Sequence, residues 1–539
     1  RKNRVDLMFK KKTKIPEKKY PDPIDIRSID AVRLNDPHLS DEILEMHITK
    51  LNIMYPIDYP YAFVNIFFDQ EEKSLLYRVL EPGLVIKEEM ILREIVSVLE
   101  DTLAIDFSMY DESKLKTFVR NEIEKIIKKY KVKINPNSKE RIIYYIIRDF
   151  VGYGKINPIT KDPNIEDISC DGPGIPVYVY HRVYGSMRTN VIFKNHEELD
   201  SFIIKMAQRC GRHLSVAEPL LDGALPNGSR VQLTLGKEVT MRGSTFTIRK
   251  FREDPFTPVD LVKFGTFSIE MLAYIWYIME HESSILIAGG TASGKTTTLN
   301  ALSLFIKPEL KIITIEDTPE LNLPHENWIP SVTRTGFGPM MGEKKLGEID
   351  MFELLKSALR QRPEYIIVGE VRGEEAYTLF QAIATGHAAM GTIHADSPQG
   401  VIHRLESEPI NVPRILIKNI DCVLLEQRAK VKDKLVRRIS QIVEIIDLDP
   451  TTNEVITNTL YEWNPFKDTF EFTGRSYLLE KMSEKIGVSL DDIKKEIENR
   501  ERVLRWMIEN NIRFYKDVAD VIASYYKDPQ SVLEKIGGS

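Results

Sequence analysis

Cysteine is nearly absent from this chain: three in 539 residues, Cys170, Cys210 and Cys422, far apart and without a CxxC pair. That spacing excludes a four-cysteine zinc site and fits a reducing compartment. Long hydrophobic runs are missing too. Stretches such as Ile142–Ile147 are soon interrupted by charge, so none approaches the ~18 apolar residues that span a bilayer. Nothing reads as a signal peptide, and the first residue is Arg1 rather than Met. There is no excess of positive charge. The net charge of −6 provides no global attraction for nucleic acid. No internal repeat is visible. What is present is the composition of a globular protein, 42% hydrophobic and 29% charged. At typical domain sizes that length makes roughly three or four domains.

The order along the chain is α+β first and α/β later. Residues 1–20 are strongly basic and read as a solvated flexible tail; an anionic membrane surface or an acidic partner is the alternative. Residues 21–110 mix strand-like runs (Tyr61–Phe68, Leu75–Leu80) with a helical period over Glu88–Glu100, the pattern of a small α+β subdomain. Residues 111–252 form a second N-terminal subdomain. It has helices over Glu112–Tyr130 and Ser138–Phe150, further strands, and a hairpin-like pair at Arg230–Leu235 and Thr245–Phe251. A charged stretch with two prolines, 253–259, reads as a hinge linker. Over 260–446 short apolar runs (Ile285–Ile287, Ile312–Ile315, Tyr365–Val368, Met390–Ile393) alternate with helical segments, which predicts a mainly parallel sheet with crossover helices. Residues 447–539 read as a mainly helical tail.

The most specific motif is a complete phosphate-binding loop, Gly289-Gly290-Thr291-Ala292-Ser293-Gly294-Lys295-Thr296, between a strand-like run and a helix-compatible segment that continues through Thr297. Its chemistry requires that context. Backbone N–H groups at a helix start face phosphates, Lys295 reaches the β- and γ-phosphates, and the Thr296 hydroxyl can ligate Mg²⁺. A bland Gly-rich turn is the competing reading.

Other blocks converge on it. The run Lys311–Leu321 is a strand ending in two acids, Glu316 and Asp317, where ligands of open α/β sheets bind. A carboxylate there polarises water or holds the Mg²⁺ shell, whereas Asp317 could also cap a helix. A second apolar strand ends at Glu370 in the layout of a Walker B element, whose acid contacts Mg²⁺; a buried strand ending in a surface acid is the plain alternative. His387 and His394 follow. They lack further ligands for zinc, so His394 reads as a γ-phosphate sensor or interface residue. Arg230, Arg242 and Arg249 lie before the prolines, and their guanidinium forks suit phosphate oxygens, although surface charge is the usual role of such arginines.

Taken in this order, the blocks resemble the secretion ATPase superfamily of type II and type IV secretion. Glu316-Asp317 matches its Asp box, Gly369-Glu370-Val371-Arg372 its Walker B, and the stretch from Gly386-His387 to His394 its His box. The missing cysteine insert and the segments 474–481 and 501–506 point to the archaeal branch, either the archaellum motor ATPase or a pilus-assembly ATPase. The resemblance implies a RecA-like ATPase domain and a homohexameric ring using ATP and Mg²⁺. It also implies N-terminal-domain arginines that complete the site in cis or in trans, and a polytopic membrane platform protein as partner at the inner face of the membrane, with room for accessory regulators. Two other readings are a DNA-translocating RecA-like ATPase, disfavoured by the net acidity, and a non-hydrolysing nucleotide-dependent scaffold, disfavoured by the intact Glu316 and Glu370.

Overall fold

The computed structural model describes residues 49–102, 112–252, 254–334, 336–341, 344–431 and 434–537; the basic stretch 1–20 and the junction at 110 lie outside them. The chain divides into two compact units between Phe251 and Arg252.

The first unit is built on nine strands: β1 (Asn52–Asp58), β2 (Ala62–Asp69), β3 (Ser74–Leu80), β4 (Ile165–Cys170), β5 (Pro176–His181), β6 (Gly185–Ile192), β7 (Leu220–Ala224), β8 (Arg230–Thr234) and β9 (Thr245–Arg249). They form one sheet in the order β1-β2-β3-β6-β5-β4-β9-β8-β7. Strand β2 buries Ala62, Val64 and Ile66 and leaves the residues between them partly exposed, the period-2 pattern of a sheet covered on one face. The helix His196–Arg209 buries Leu199, Phe202, Ile203, Met206 and Ala207, a stripe at helical spacing, in the same core as Phe246 of β9. Three further helices, Ile86–Thr102, Glu112–Lys129 and Pro136–Phe150, pack together around Ile95, Leu99, Val119, Ile123 and Ile142.

The expected split into subdomains 21–110 and 111–252 does not hold at the level of the sheet. β3 pairs in parallel with β6, Leu76 opposite Arg188 and Tyr77 opposite Thr189. The buried Asp162 accepts hydrogen bonds from Tyr55 (2.6 Å) and Tyr77 (2.8 Å), stitching the two stretches together. An alternating pattern reveals which face a strand buries but not which strand it joins.

The second unit holds β10 (Ile285–Gly289), β11 (Ile312–Glu316), β12 (Trp328–Val332), a small hairpin of β13 (Phe337–Met341) and β14 (Lys344–Leu346), then β15 (Tyr365–Val368), β16 (Ala388–Ile393), β17 (Cys422–Val431), β18 (Lys434–Leu448), β19 (Val455–Asn464) and β20 (Thr469–Phe472). Apart from the hairpin these make one sheet, ordered β12-β11-β15-β16-β10-β17-β18-β19-β20. Pairing is parallel from β12 to β17 and antiparallel from β17 to β20. Every residue of β10, β11, β15 and β16 is buried, as expected of parallel strands covered on both faces. This is an α/β, RecA-like P-loop domain with a mainly parallel sheet. The α+β unit precedes it, and helices follow it.

Two boundaries move. The expected break at 446/447 falls inside β18, whose partners β19 and β20 belong to the same sheet. The helices Tyr477–Ile486, Leu490–Glu509, Tyr515–Lys527 and Pro529–Gly537 share one core with the helix Ile269–Glu280, so they are part of the ATPase unit and not an appendage. Trp276 shows how. Its ring stacks on Phe305 at 5.3 Å, its Nε1 donates to the Tyr526 hydroxyl at 2.9 Å, and that hydroxyl donates to the Phe305 carbonyl. The buried Arg500 is ion-paired with Glu280 and Glu496 beside the rings of Trp276 and Tyr525. The proline stretch is likewise anchored. Thr257 and Asp260 form a reciprocal capping box that starts the helix Pro258–Lys263, and Arg513 donates to Asp260 at 3.0 Å.

Trp276→Ala is expected to destabilise this unit by about 3–5 kcal/mol, through the cavity and the lost hydrogen bond. All four tryptophans lie after residue 252, so denaturation followed by tryptophan fluorescence reads this unit selectively.

Candidate nucleotide site

Parallel strands bring their carboxyl ends to one edge of the sheet, and the loops leaving that edge carry the site. Reading along the sheet, β11 ends at Glu316, β15 leads into Glu370, β16 into His394, β10 into the phosphate loop, and Glu426 of β17 sits opposite Gly289. Residues from Gly289 to Glu426 are therefore brought to this edge by topology. The backbone ties the strand ends together: Gly369 N donates to the Ile315 carbonyl at 2.9 Å, and the Thr392 hydroxyl donates to the Gly369 carbonyl at 2.6 Å.

The loop passes from β10 into the helix Lys295–Ser303, whose N-cap is Gly294 at φ +115 with no capping side chain. Glycine is required there. Any Cβ would be strained at that φ and would lie 2.5 Å from Glu426 Oε1. At Gly289 a Cβ would lie 2.2 Å from the Glu426 carbonyl. The uncapped helix start is what a phosphate needs, since its orphan N–H groups and positive dipole end await an anion. Thr291 and Ala292 are exposed at the crest of the loop, and Ser293 is buried beneath it. Lys295 is folded back, donating from Nζ to the carbonyls of Gly289 (3.0 Å) and Gly290 (2.8 Å). Burial lowers its pKa, while Glu370 and Glu426 pull the other way. Arg437 of β18 reaches the same loop, donating from Nε to the Ala292 carbonyl at 3.2 Å.

Glu316 is buried, and one carboxylate oxygen accepts from the N–H groups of Glu320 (2.9 Å) and Leu321 (3.1 Å). Burial pushes its carboxyl up to about 7, despite those two N–H groups. That value suits a general base near neutrality. Asp317 is not a helix cap: no helix follows, and it takes an ion pair from Arg372 and a hydrogen bond from the Thr333 hydroxyl at 3.1 Å. The turn is shaped by Glu316 instead. Glu370 is half-buried and close enough to Lys295 to stabilise its charge. With the half-buried Thr296 hydroxyl, these carboxylates supply the hard oxygen donors that Mg²⁺ prefers.

The histidines separate. His394 is exposed past the carboxyl end of β16, on the loop side. His387 precedes β16, at the opposite edge, with its Nδ1 3.3 Å from the Ala382 carbonyl. The three arginines belong to the first unit. Arg230 and Arg249 face each other across β8 and β9, paired with Asp222 (2.7 Å) and Asp167 (3.4 Å) respectively. Arg242 lies apart from them in the turn between these strands. Glu426 is the residue sequence reasoning missed. It ends an apolar run, Cys422–Leu425, in the same way that Glu316 and Glu370 do, and that was the available signal.

Comparisons with known proteins show which family the chain belongs to. A family model described as "Type II/IV secretion system protein" matches residues 171–500. Uncharacterized protein MJ0900 of Methanocaldococcus jannaschii is 38% identical over 91% of each chain. Type IV secretion system protein VirB11 of Bartonella henselae is 26% identical over 52% of this chain and 90% of its own. The crystal structure of the VirB11 ATPase from the Brucella suis type IV secretion system aligns over 53% of this chain and 91% of that one, at 25% identity and a TM-score of 0.27. With a family match over more than half its length and an archaeal relative along nearly all of it, the chain belongs to the type II/IV secretion system protein family, in its archaeal branch.

Proposed function

We propose that this chain is an ATP-hydrolysing motor of an archaeal type IV pilus-like filament machine, in first place the archaellum, with a pilus or secretion system as the related alternative. The observation that carries the proposal is the meeting of the phosphate loop, Glu316, Glu370 and His394 at one sheet edge. Lys295 and the helix start hold the phosphates. Thr296 and Glu370, with Glu316 nearby, would hold Mg²⁺, which would supply positive charge for the phosphoryl oxygens. Glu316 orients and deprotonates the attacking water, and His394 reports the γ-phosphate to the sheet. The likeness to the Bartonella relative, a type IV secretion system protein, supports the class of machine.

The motor works as a homohexameric ring docked on a polytopic membrane platform protein at the inner face of the membrane. None of the described helices is long and apolar enough to cross a membrane, so the platform supplies the anchorage in this reading. Arg230, Arg242 and Arg249 approach the phosphates from the first unit, in cis or from a neighbouring subunit, exchanging their present carboxylate partners or solvent for the γ-phosphate. Mixing Arg242→Ala subunits with Lys295→Ala subunits and measuring ATPase activity tests the shared site. Partial recovery is expected, and no recovery at any ratio excludes Arg242 as a partner in trans.

A further inference from the structure

Behind the phosphate loop lies a carboxyl group that the hydrolysis scheme does not use. Glu426 is only 3% exposed. Its Oε1 occupies the space a Cβ on Gly294 would need, and its Oε2 makes no hydrogen bond of normal geometry. The groups facing it are Lys295 and the Thr298 hydroxyl from the loop helix and Arg437 from β18, with Glu370 acting on the same Lys295 from the end of β15. An acid buried against the loop that must receive a polyanion is an electrostatic obstacle in its ionised form. In its neutral form it is a filler that keeps Gly294 and Lys295 in place.

We propose that Glu426 is a positioning residue of the phosphate site whose carboxylate balances Lys295 while the loop is empty and takes a proton from solvent when phosphate arrives, so that nucleotide binding is coupled to proton uptake. The step is a simple protonation: one carboxylate oxygen accepts one proton from solvent, and Lys295 keeps its own proton while its ammonium pairs with the phosphates in place of Glu426. The surroundings of the carboxyl agree. Burial pushes the Glu426 carboxyl up to about 8, against the pull of Thr298, Arg437 and Lys295, so both forms are within reach near neutrality. Phosphates next to it raise it further.

This inference rests on the nucleotide reading of the loop, and the test separates the two. ADP without Mg²⁺ is titrated calorimetrically into the full chain and into Glu426→Gln at pH 8, in two buffers of different ionisation enthalpy. The wild-type chain is expected to take up about half a proton more than the variant, because about half of the carboxyls are ionised there. Proton uptake by Glu316 is common to both proteins and cancels in the difference, and because loss of the Glu426 charge favours neutral Lys295, any uptake by Lys295 in the variant narrows the difference and cannot create one. Equal uptake in the two overturns the role of Glu426, whereas failure of ADP to bind the wild-type chain overturns the nucleotide reading itself. A second measurement needs no variant. If only the neutral carboxyl admits phosphate, wild-type ADP affinity falls about tenfold from pH 7 to pH 9, and an unchanged affinity contradicts the proposal.

Discussion

Glu316→Gln is expected to lower ATP turnover by about 10²–10⁴-fold while leaving ATP binding within a few-fold of the wild-type chain, the signature of a lost general base. The amide keeps the shape of the side chain, and its oxygen can still accept from the N–H groups of Glu320 and Leu321, so the fold of the turn survives. The pH profile provides a second readout. Glu316 acts as a base only when ionised, and burial pushes its carboxyl up to about 7. The sign follows. Below that pH the protonated form dominates and kcat/KM falls about tenfold per unit, whereas just above it the Glu316 limb levels off, and any decline at higher pH belongs to Glu426. In Glu316→Gln this acid limb disappears. A variant that keeps both its rate and its limb would assign the base elsewhere.

Lys295→Ala should act earlier in the cycle. Nucleotide binding and turnover are both expected to be lost, turnover by at least about 10³-fold, as when a charged transition-state contact is removed. The side chain also has a structural role in the loop, since its Nζ donates to the Gly289 and Gly290 carbonyls. Removing it leaves two acceptors to find water, at about 1–3 kcal/mol for each one left unpaired. Lys295→Arg separates these roles. A longer planar donor can still bond carbonyls but does not reproduce the compact ammonium, so stability should return and turnover should not. Calorimetric ADP binding together with thermal melting reads both quantities.

The sequence was most legible where local chemistry is compulsory. The phosphate loop needs its two glycines and its lysine at fixed spacing, and the structure places all three at the turn from β10 into the helix Lys295–Ser303. Apolar strands ending in Glu316 and Glu370 were readable because parallel strands are buried on both faces and surface only at their ends. Long-range pairing was not readable. The parallel contact of β3 with β6 joins residues more than a hundred positions apart, and nothing local in either strand encodes it. The C-terminal helices looked like a tail because charged residues dominate their composition. Yet each buries a few residues, such as Met507, Val518 and Tyr525, against Trp276 and its neighbours. Glu426 was passed over because an acid in the middle of a strand with charged residues after it looks like surface, and only the register against Gly289 puts it beneath the loop.

The most direct test of the account is the release of inorganic phosphate from ATP by the purified chain, with Mg²⁺ and with the metal chelated. Saturable, Mg²⁺-dependent release that vanishes in Lys295→Ala is the predicted result. Tight ATP binding by the wild-type chain without phosphate release at any Mg²⁺ concentration would contradict it and leave a nucleotide-dependent scaffold in place of a motor.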